Sequence, residues 1–129
     1  MTAKKKLGIG LDVLLTASRG QYDIKLEGNI LTQAKELFGR ALEQDEMGNS
    51  FEAYYFYRQV IDLPDISDSN VPEELSELLS RSLNNIAVIL ADNSRKEGAL
   101  IYFQQAIDIY PKNRTAIENK RLLKLEIED

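Results

Sequence analysis

The sequence predicts an all-α fold built from antiparallel helix pairs, and three observations support this prediction. Apolar residues recur every three or four positions over residues 30–47 and 80–113, which is the period of an amphipathic helix. Gly48, Pro64 and Pro111 stand where helices are expected to stop. The small residues Ala87 and Ala99 would let two helices approach closely, while larger side chains fill the space around the crossing.

The first helix is expected over residues 29–47, with Asn29 as its N-cap. Its apolar face consists of Ile30, Ala34, Leu37, Phe38, Ala41 and Leu42. Gly48 ends this helix, and a second helix is expected over residues 50–63, where Pro64 stops it. The spacing therefore predicts a helical hairpin in the first half of the chain.

Four aromatic residues follow one another in the second helix, Tyr54-Tyr55-Phe56-Tyr57. Four consecutive residues sweep about 300° around a helix, so they are not expected to face one core together. We expect Tyr55 to point outward, as we expect of Ile101 at the matching place of the later helix pair. An exposed aromatic ridge would be a contact surface, and packing against a neighbouring helix is the alternative.

A third helix is expected to begin near Pro72, with Glu73 and Glu74 close to the positive end of its dipole. This extended helix is the first of the helix pair whose repeat covers residues 80–113. The join between them, Ser94-Arg95-Lys96-Glu97, is typical of a capping box with Ser94 as N-cap.

The segment 80–113 resembles a tetratricopeptide repeat, a helix pair of about 34 residues. The residues that carry the resemblance are Leu83, Ile86, Ala87, Leu90, Ala99, Phe103, Ala106 and Pro111. A less complete copy is expected over residues 34–65, where Ala53 and Tyr57 take the places of Ala99 and Phe103. The chain then divides into an N-terminal arm, residues 1–21, and a tetratricopeptide-like superhelical domain, residues 22–129.

The last segment, residues 114–128, is predicted to be a capping helix that follows Asn113 as its N-cap. Ala116, Lys120, Leu123 and Ile127 would share one face of it. Leu122 and Leu125 lie on another face, where they indicate either a homodimer contact or scattered surface leucines.

The tetratricopeptide resemblance implies a non-catalytic adaptor that binds a peptide or a partner protein. In that family the first helix of each pair lines the binding surface. Transferred to this chain, the surface consists of Lys35, Phe38, Leu42, Arg81, Asn84, Asn85 and Val88. The Lys and Asn set with which some members hold a C-terminal carboxylate is incomplete here.

The N-terminal arm resembles the peptide with which ParB-type chromosome-partitioning proteins engage a ParA-type ATPase, roughly K-x-L-G-R-G-L-D-A-L-L. The matching residues are Leu7, Gly8, Gly10, Leu11, Asp12, Leu14 and Leu15. Ile9 stands where that family has the arginine that helps to stimulate ATP hydrolysis, so the resemblance implies docking without stimulation. The alternative is a sticky tail, or an arm that folds back on its own repeats.

A third interpretation is a microtubule-interacting-and-trafficking domain, a three-helix module. Residues 41–49, followed by Glu52, Ala53 and Tyr57, resemble that family. The more complete match over residues 80–113 favours the tetratricopeptide interpretation.

The amino-acid composition excludes several kinds of catalytic and metal site. The chain contains no His and no Cys, which excludes Ser-His and Cys-His nucleophiles and the usual zinc ligands. The loop of residues 65–70 lacks the glycine and glutamate of a calcium loop. We therefore expect no enzymatic activity, no metal and no cofactor.

Charge and hydropathy bear on partners and location. The net charge is −5, and three lysines concentrate positive charge in the arm, so the acidic body is not expected to bind nucleic acid. No apolar run reaches the roughly 18 residues that a membrane span needs. With no secretory signal and no cysteine, a cytoplasmic location is expected.

Overall fold

The computed structural model describes residues 29–64 and 71–128. These residues form five helices: α1 (Ile30–Glu46), α2 (Ser50–Asp62), α3 (Glu73–Asp92), α4 (Lys96–Ile109) and α5 (Arg114–Glu128). No strand occurs in either range, so the fold is all-α, as predicted. No helix within them is long and apolar enough to cross a membrane. The ParB-like arm and the loop of residues 65–70 lie outside the described residues.

Helix α3 is the centre of the fold because it contacts each of the other four helices. It packs most extensively against α4, its partner in the second hairpin, and α1 packs against α2 in the first. Eleven of its 20 residues are buried, among them the polar Ser80, Ser82 and Asn84. Ala87 and Ala99, predicted to lie at the crossing of α3 and α4, are both fully buried.

The first hairpin turns where the sequence predicts. The Asn29 side chain accepts a hydrogen bond from the Thr32 amide at 2.9 Å and so caps α1. At the other end, Gly48 has a positive φ of 81°. Its amide donates to the Asp45 carbonyl, and the Asn49 amide donates to the Gln44 carbonyl. These two bonds form a Schellman motif, which satisfies the last carbonyls of a helix.

The second hairpin has the same turn, and here the capping-box prediction is wrong. Ser94 has a positive φ of 63° and lies outside α4, whose N-cap position is held by Arg95 without a side-chain cap. The Ser94 amide donates to Ala91, and the Arg95 amide donates to Leu90. Ser94 therefore closes α3, as Gly48 closes α1. The left-handed backbone that this closure needs prevents Ser94 from adopting the extended conformation of an N-cap.

The start of α5 is attached to α3 through polar side chains. The Asn113 side chain accepts from the Ala116 amide at 3.0 Å, which confirms it as the N-cap of α5. It also donates to the buried hydroxyl of Ser80 at 2.8 Å. That hydroxyl in turn donates to the Ala106 carbonyl at 2.6 Å. The turn between α4 and α5 is thus held at a defined place against α3.

The predicted outward position of Tyr55 is also wrong. Tyr54, Tyr55, Phe56 and Tyr57 are all less than 9% exposed. Other helices contact α2 on more than one side: the Tyr57 hydroxyl bonds to Asp45 of α1, and Arg58 donates to the Tyr102 hydroxyl of α4. The ring of Tyr55 packs edge-on against Phe56, with centroids 5.5 Å apart. A helix enclosed in this way buries residues all around its circumference.

Candidate functional site

Two adjoining clefts open on the side of the molecule where α1, α3 and the α4–α5 turn meet. The first, here called the apolar cleft, measures about 330 Å³ and is lined by Lys35, Phe38, Gly39, Leu42, Glu74, Glu77, Leu78 and Arg81. The second, the polar cleft, measures about 340 Å³ and is lined by Glu77, Arg81, Asn84, Asn85, Tyr110, Lys112, Asn113, Arg114 and Thr115. Because Glu77 and Arg81 line both, the two clefts adjoin at these side chains, and together we call them the groove.

The apolar cleft is built by helical spacing. Lys35, Phe38 and Leu42 stand three and four residues apart on α1, so they share one face. The Lys35 ammonium pairs with Glu74 of α3 at 2.7 Å across the mouth of the cleft. This ion pair is exposed and contributes little to stability, but it sets the charge at that end.

Arg81 marks the boundary between the two clefts. Its guanidinium lies 4.7 Å from the centroid of the Phe38 ring, within the range of a cation–π interaction. Phe38 is itself 5.8 Å from the ring of Tyr57, in a tilted arrangement. This stacking holds the cation against an aromatic face and leaves the edge of the guanidinium available to donate hydrogen bonds to a ligand.

The polar cleft carries three cations, Arg81, Lys112 and Arg114, and one carboxylate, Glu77. Lys112 pairs with Glu73 at 3.1 Å, and this bond raises the pKa of the ammonium group. Arg114 forms no ion pair among the described residues. With Glu73 included, three cations stand against two carboxylates, so the cleft has an excess of one positive charge in a chain whose net charge is −5.

A chain of hydrogen bonds lies behind the groove and joins four helices. The Tyr57 hydroxyl donates to Asp45 at 3.0 Å and accepts from Asn85 at 3.1 Å. Asn84 donates to Asn85, and Asn119 of α5 donates to Asn84, both at 3.1 Å. Burial raises the pKa of Tyr57, and the adjacent Asp45 carboxylate raises it further. The phenol thus remains a donor at neutral pH, which keeps the chain of bonds intact.

The structure brings together six of the seven residues predicted for the binding surface. Lys35, Phe38 and Leu42 line the apolar cleft, Arg81 lines both clefts, and Asn84 and Asn85 line the polar one. Asn84 is only 6% exposed, and both asparagines already bond within the protein, so their part in the groove is to support its wall. Val88 is exposed but lines neither cleft.

The remaining predicted contacts, Leu7, Gly8, Gly10, Leu11, Leu14 and Leu15, belong to the arm and lie outside the described residues. Sequence reasoning missed Glu77, Lys112, Arg114 and Thr115. The last three sit in or just after the α4–α5 turn, which the sequence pattern marks only as the boundary of a helix. Pro111 was the available signal, because a proline stops a helix and so marks a turn.

Within residues 29–64 and 71–128, no group of three or more acidic side chains is arranged to hold a metal ion. Comparison of the chain with protein-family models, with curated proteins and with solved structures found no match.

Proposed function

We propose that this chain is a non-catalytic protein-interaction module of the tetratricopeptide type, and that its groove binds an extended peptide. The observation that carries the proposal is that the apolar and the polar cleft adjoin at Arg81. An apolar side chain of the peptide would enter the cleft beside Phe38 and Leu42. An acidic side chain a few residues away would reach Arg81 and Arg114 in the polar cleft.

Electrostatics support an acidic ligand. The polar cleft collects three cations on a chain of net negative charge, and a concave surface concentrates the field of the charges that line it. An acidic peptide would therefore be attracted to the groove and repelled by much of the remaining surface. The stacked Arg81 is held in place before binding, which lowers the entropic cost of using it.

The arrangement of helices favours this function over a three-helix trafficking module. Helices α1 and α3, each the first member of a hairpin, contact one another and line the groove, as the tetratricopeptide resemblance implies. A three-helix module would not use α4 and α5. In this chain α5 and the turn before it contribute Arg114 and Lys112 to the lining of the polar cleft.

The proposal is tested by selecting peptides from a random displayed library on the full chain. We expect the selected peptides to combine an aromatic or aliphatic residue with a nearby Asp or Glu. Binding of a selected peptide, followed by fluorescence polarisation, should weaken by about tenfold in Arg81→Ala and in Arg114→Ala, because each loses a charge-assisted hydrogen bond.

Arg40→Ala is the matched control. Arg40 is an exposed arginine of α1 that pairs with Glu36 of the same helix and lines neither cleft. This variant should bind like the wild type. Selection of peptides without acidic residues, or equal affinity for all three variants, would overturn the proposal.

A further inference from the structure

An apolar cavity of about 510 Å³, here called the rear cavity, lies on the side of α3 opposite the groove. Its walls come from the end of α2, the first half of α3 and the end of α4. The apolar residues that line it are Ile61, Pro64, Val71, Leu79, Leu83 and Ile109. Leu79 and Leu83 each stand two residues from Arg81, which is about 200° around a helix, so the rear cavity and the groove use opposite faces of α3.

The rear cavity also differs from the groove in charge. Among the residues that the structure describes, the charged group in its lining is Asp108, which is exposed. The Asp108 carboxylate accepts a hydrogen bond from the Gln104 side chain at 2.8 Å and forms no ion pair with a described residue. An apolar segment with positive charge at one end is complementary to such a cavity. The polar cleft, with its excess of positive charge, would repel the same segment.

We propose that the N-terminal arm of the same chain occupies the rear cavity. Leu11, Leu14 and Leu15 pack against its apolar lining, and the three lysines of residues 4–6 lie toward Asp108. The leucines follow the spacing i, i+3 and i+4, which places apolar side chains on one face of a helix. Val13 stands off that face.

The point at which the arm joins the fold puts the rear cavity within its reach. Lys35, in the second turn of α1, pairs at 2.7 Å with Glu74 in the first turn of α3. The start of α1 therefore lies beside the start of α3, whose first half forms a wall of the cavity. Residues 16–28 join Leu15 to the cap of α1, and 13 extended residues span at most about 43–47 Å. The whole of α3 is only about 30 Å long.

Because the arm and the cavity belong to one chain, a weak contact is enough to bring them together. A tether of this length gives an effective concentration on the order of 1 mM. The same leucines are those expected to dock on a partner of the arm, so a partner has to displace the arm from the rear cavity. The cavity would then limit access to the arm without any contact with the groove.

The test is paramagnetic broadening of backbone amide signals in the full chain. The chain contains no cysteine, so Ala17→Cys gives a single site for a spin label, two residues after Leu15. We expect the amides of Leu79, Gln105 and Ile109, which line the rear cavity, to lose signal intensity. The amide of Leu42, which lines the apolar cleft, should lose less.

Variants of the labelled chain identify the groups that hold the arm. Leu14→Ser should lower the equilibrium constant for docking by about tenfold or more and restore the lost intensity, because a buried leucine contributes on that scale. Asp108→Lys should also reduce the broadening, because the new ammonium group repels the lysines of the arm. Val13→Ser is the matched control. It removes an apolar side chain next to Leu14 but off the leucine face, and its spectrum should match that of the parent.

A mixture of two chains distinguishes the chain's own arm from the arm of a second copy. One chain carries the spin label, and the other carries only the isotope label that is observed. We expect no broadening in the mixture, and broadening there would overturn the proposal in favour of exchange between copies. Equal signal intensities at all four amides, strongest broadening at Leu42, or a Leu14→Ser chain that behaves like its parent would also overturn it.

Discussion

Gly48 and Ser94 occupy the same position in two successive helical hairpins. Each has a positive φ, 81° for Gly48 and 63° for Ser94, and each closes its helix through the same pair of hydrogen bonds. For an L-residue this backbone conformation costs roughly 1–2 kcal/mol, and glycine avoids that cost. The first turn therefore carries the favoured residue, and the second carries a strained one.

Ser94→Gly should raise the free energy of unfolding by about 0.5–1 kcal/mol, because it removes the strain at the cost of some additional freedom in the unfolded chain. Gly48→Ala should lower it by about 1 kcal/mol. A Cβ at position 48 would meet no atom within 4 Å, so the effect would come from the backbone alone. Urea midpoints measure both changes.

Gly39→Ala is the control for these turns. Gly39 lies inside α1, and a Cβ there also meets no atom within 4 Å. The same substitution should stabilise the protein by about 0.5–1 kcal/mol at this position, because alanine favours helix. If Gly48→Ala stabilised the protein as Gly39→Ala does, the positive φ at position 48 would carry no cost for alanine, and the prediction would be wrong.

At the scale of the helices, the fold depends on how closely α3 and α4 approach. Ala99 is fully buried, and α4 shares its largest contact with α3. A larger side chain at Ala99 must push the helices apart or adopt a strained rotamer. Ala99→Leu should therefore lower the free energy of unfolding by roughly 1–3 kcal/mol, measured as a shift of the urea midpoint.

Gln105→Leu is the comparison on the same helix. Gln105 is exposed, so the added leucine should change stability by no more than about 0.5 kcal/mol. A urea midpoint for Ala99→Leu equal to that of the wild type would mean that α3 and α4 are not closely packed at this crossing.

At the scale of the whole molecule, the groove and the arm are two separate candidates for partner binding. The arm stays a proposal from its sequence, since it lies outside the described residues. Lys4, Lys5 and Lys6 would attract an acidic surface, and Leu11 and Leu14 would supply apolar area on binding. Its proposed partner is an ATPase of the ParA type.

A peptide of residues 1–20 should bind such an ATPase with an affinity around micromolar, because ordering a short peptide costs entropy. Leu11→Ala combined with Leu14→Ala should abolish most of the binding. Ile9 stands in the place of the stimulating arginine, so the rate of ATP hydrolysis should change little. Titration of the labelled peptide checks the first two points, and equal binding of both peptides would mean that the resemblance is accidental.

The positions of the helices could be predicted from the sequence because the signals for helix ends are local. Asn29 and Asn113 cap the amides of the next turn, and Gly48 and Pro64 stop or turn the chain where they stand. The lining of the apolar cleft on α1 could be predicted in the same way. Helical spacing alone places Lys35, Phe38 and Leu42 on one face, without knowledge of any neighbour.

Tertiary structure decided what depends on contacts between distant residues. Tyr55 belongs to the main hydrophobic core, and no pattern within α2 contains that information. Ser94 fits both an N-cap and a helix end, and only the backbone bonds to Ala91 distinguish them. Arg81 and Arg114 line the same polar cleft although they are far apart in sequence, and the bond between Ser80 and Asn113 helps to hold the turn before α5 against α3.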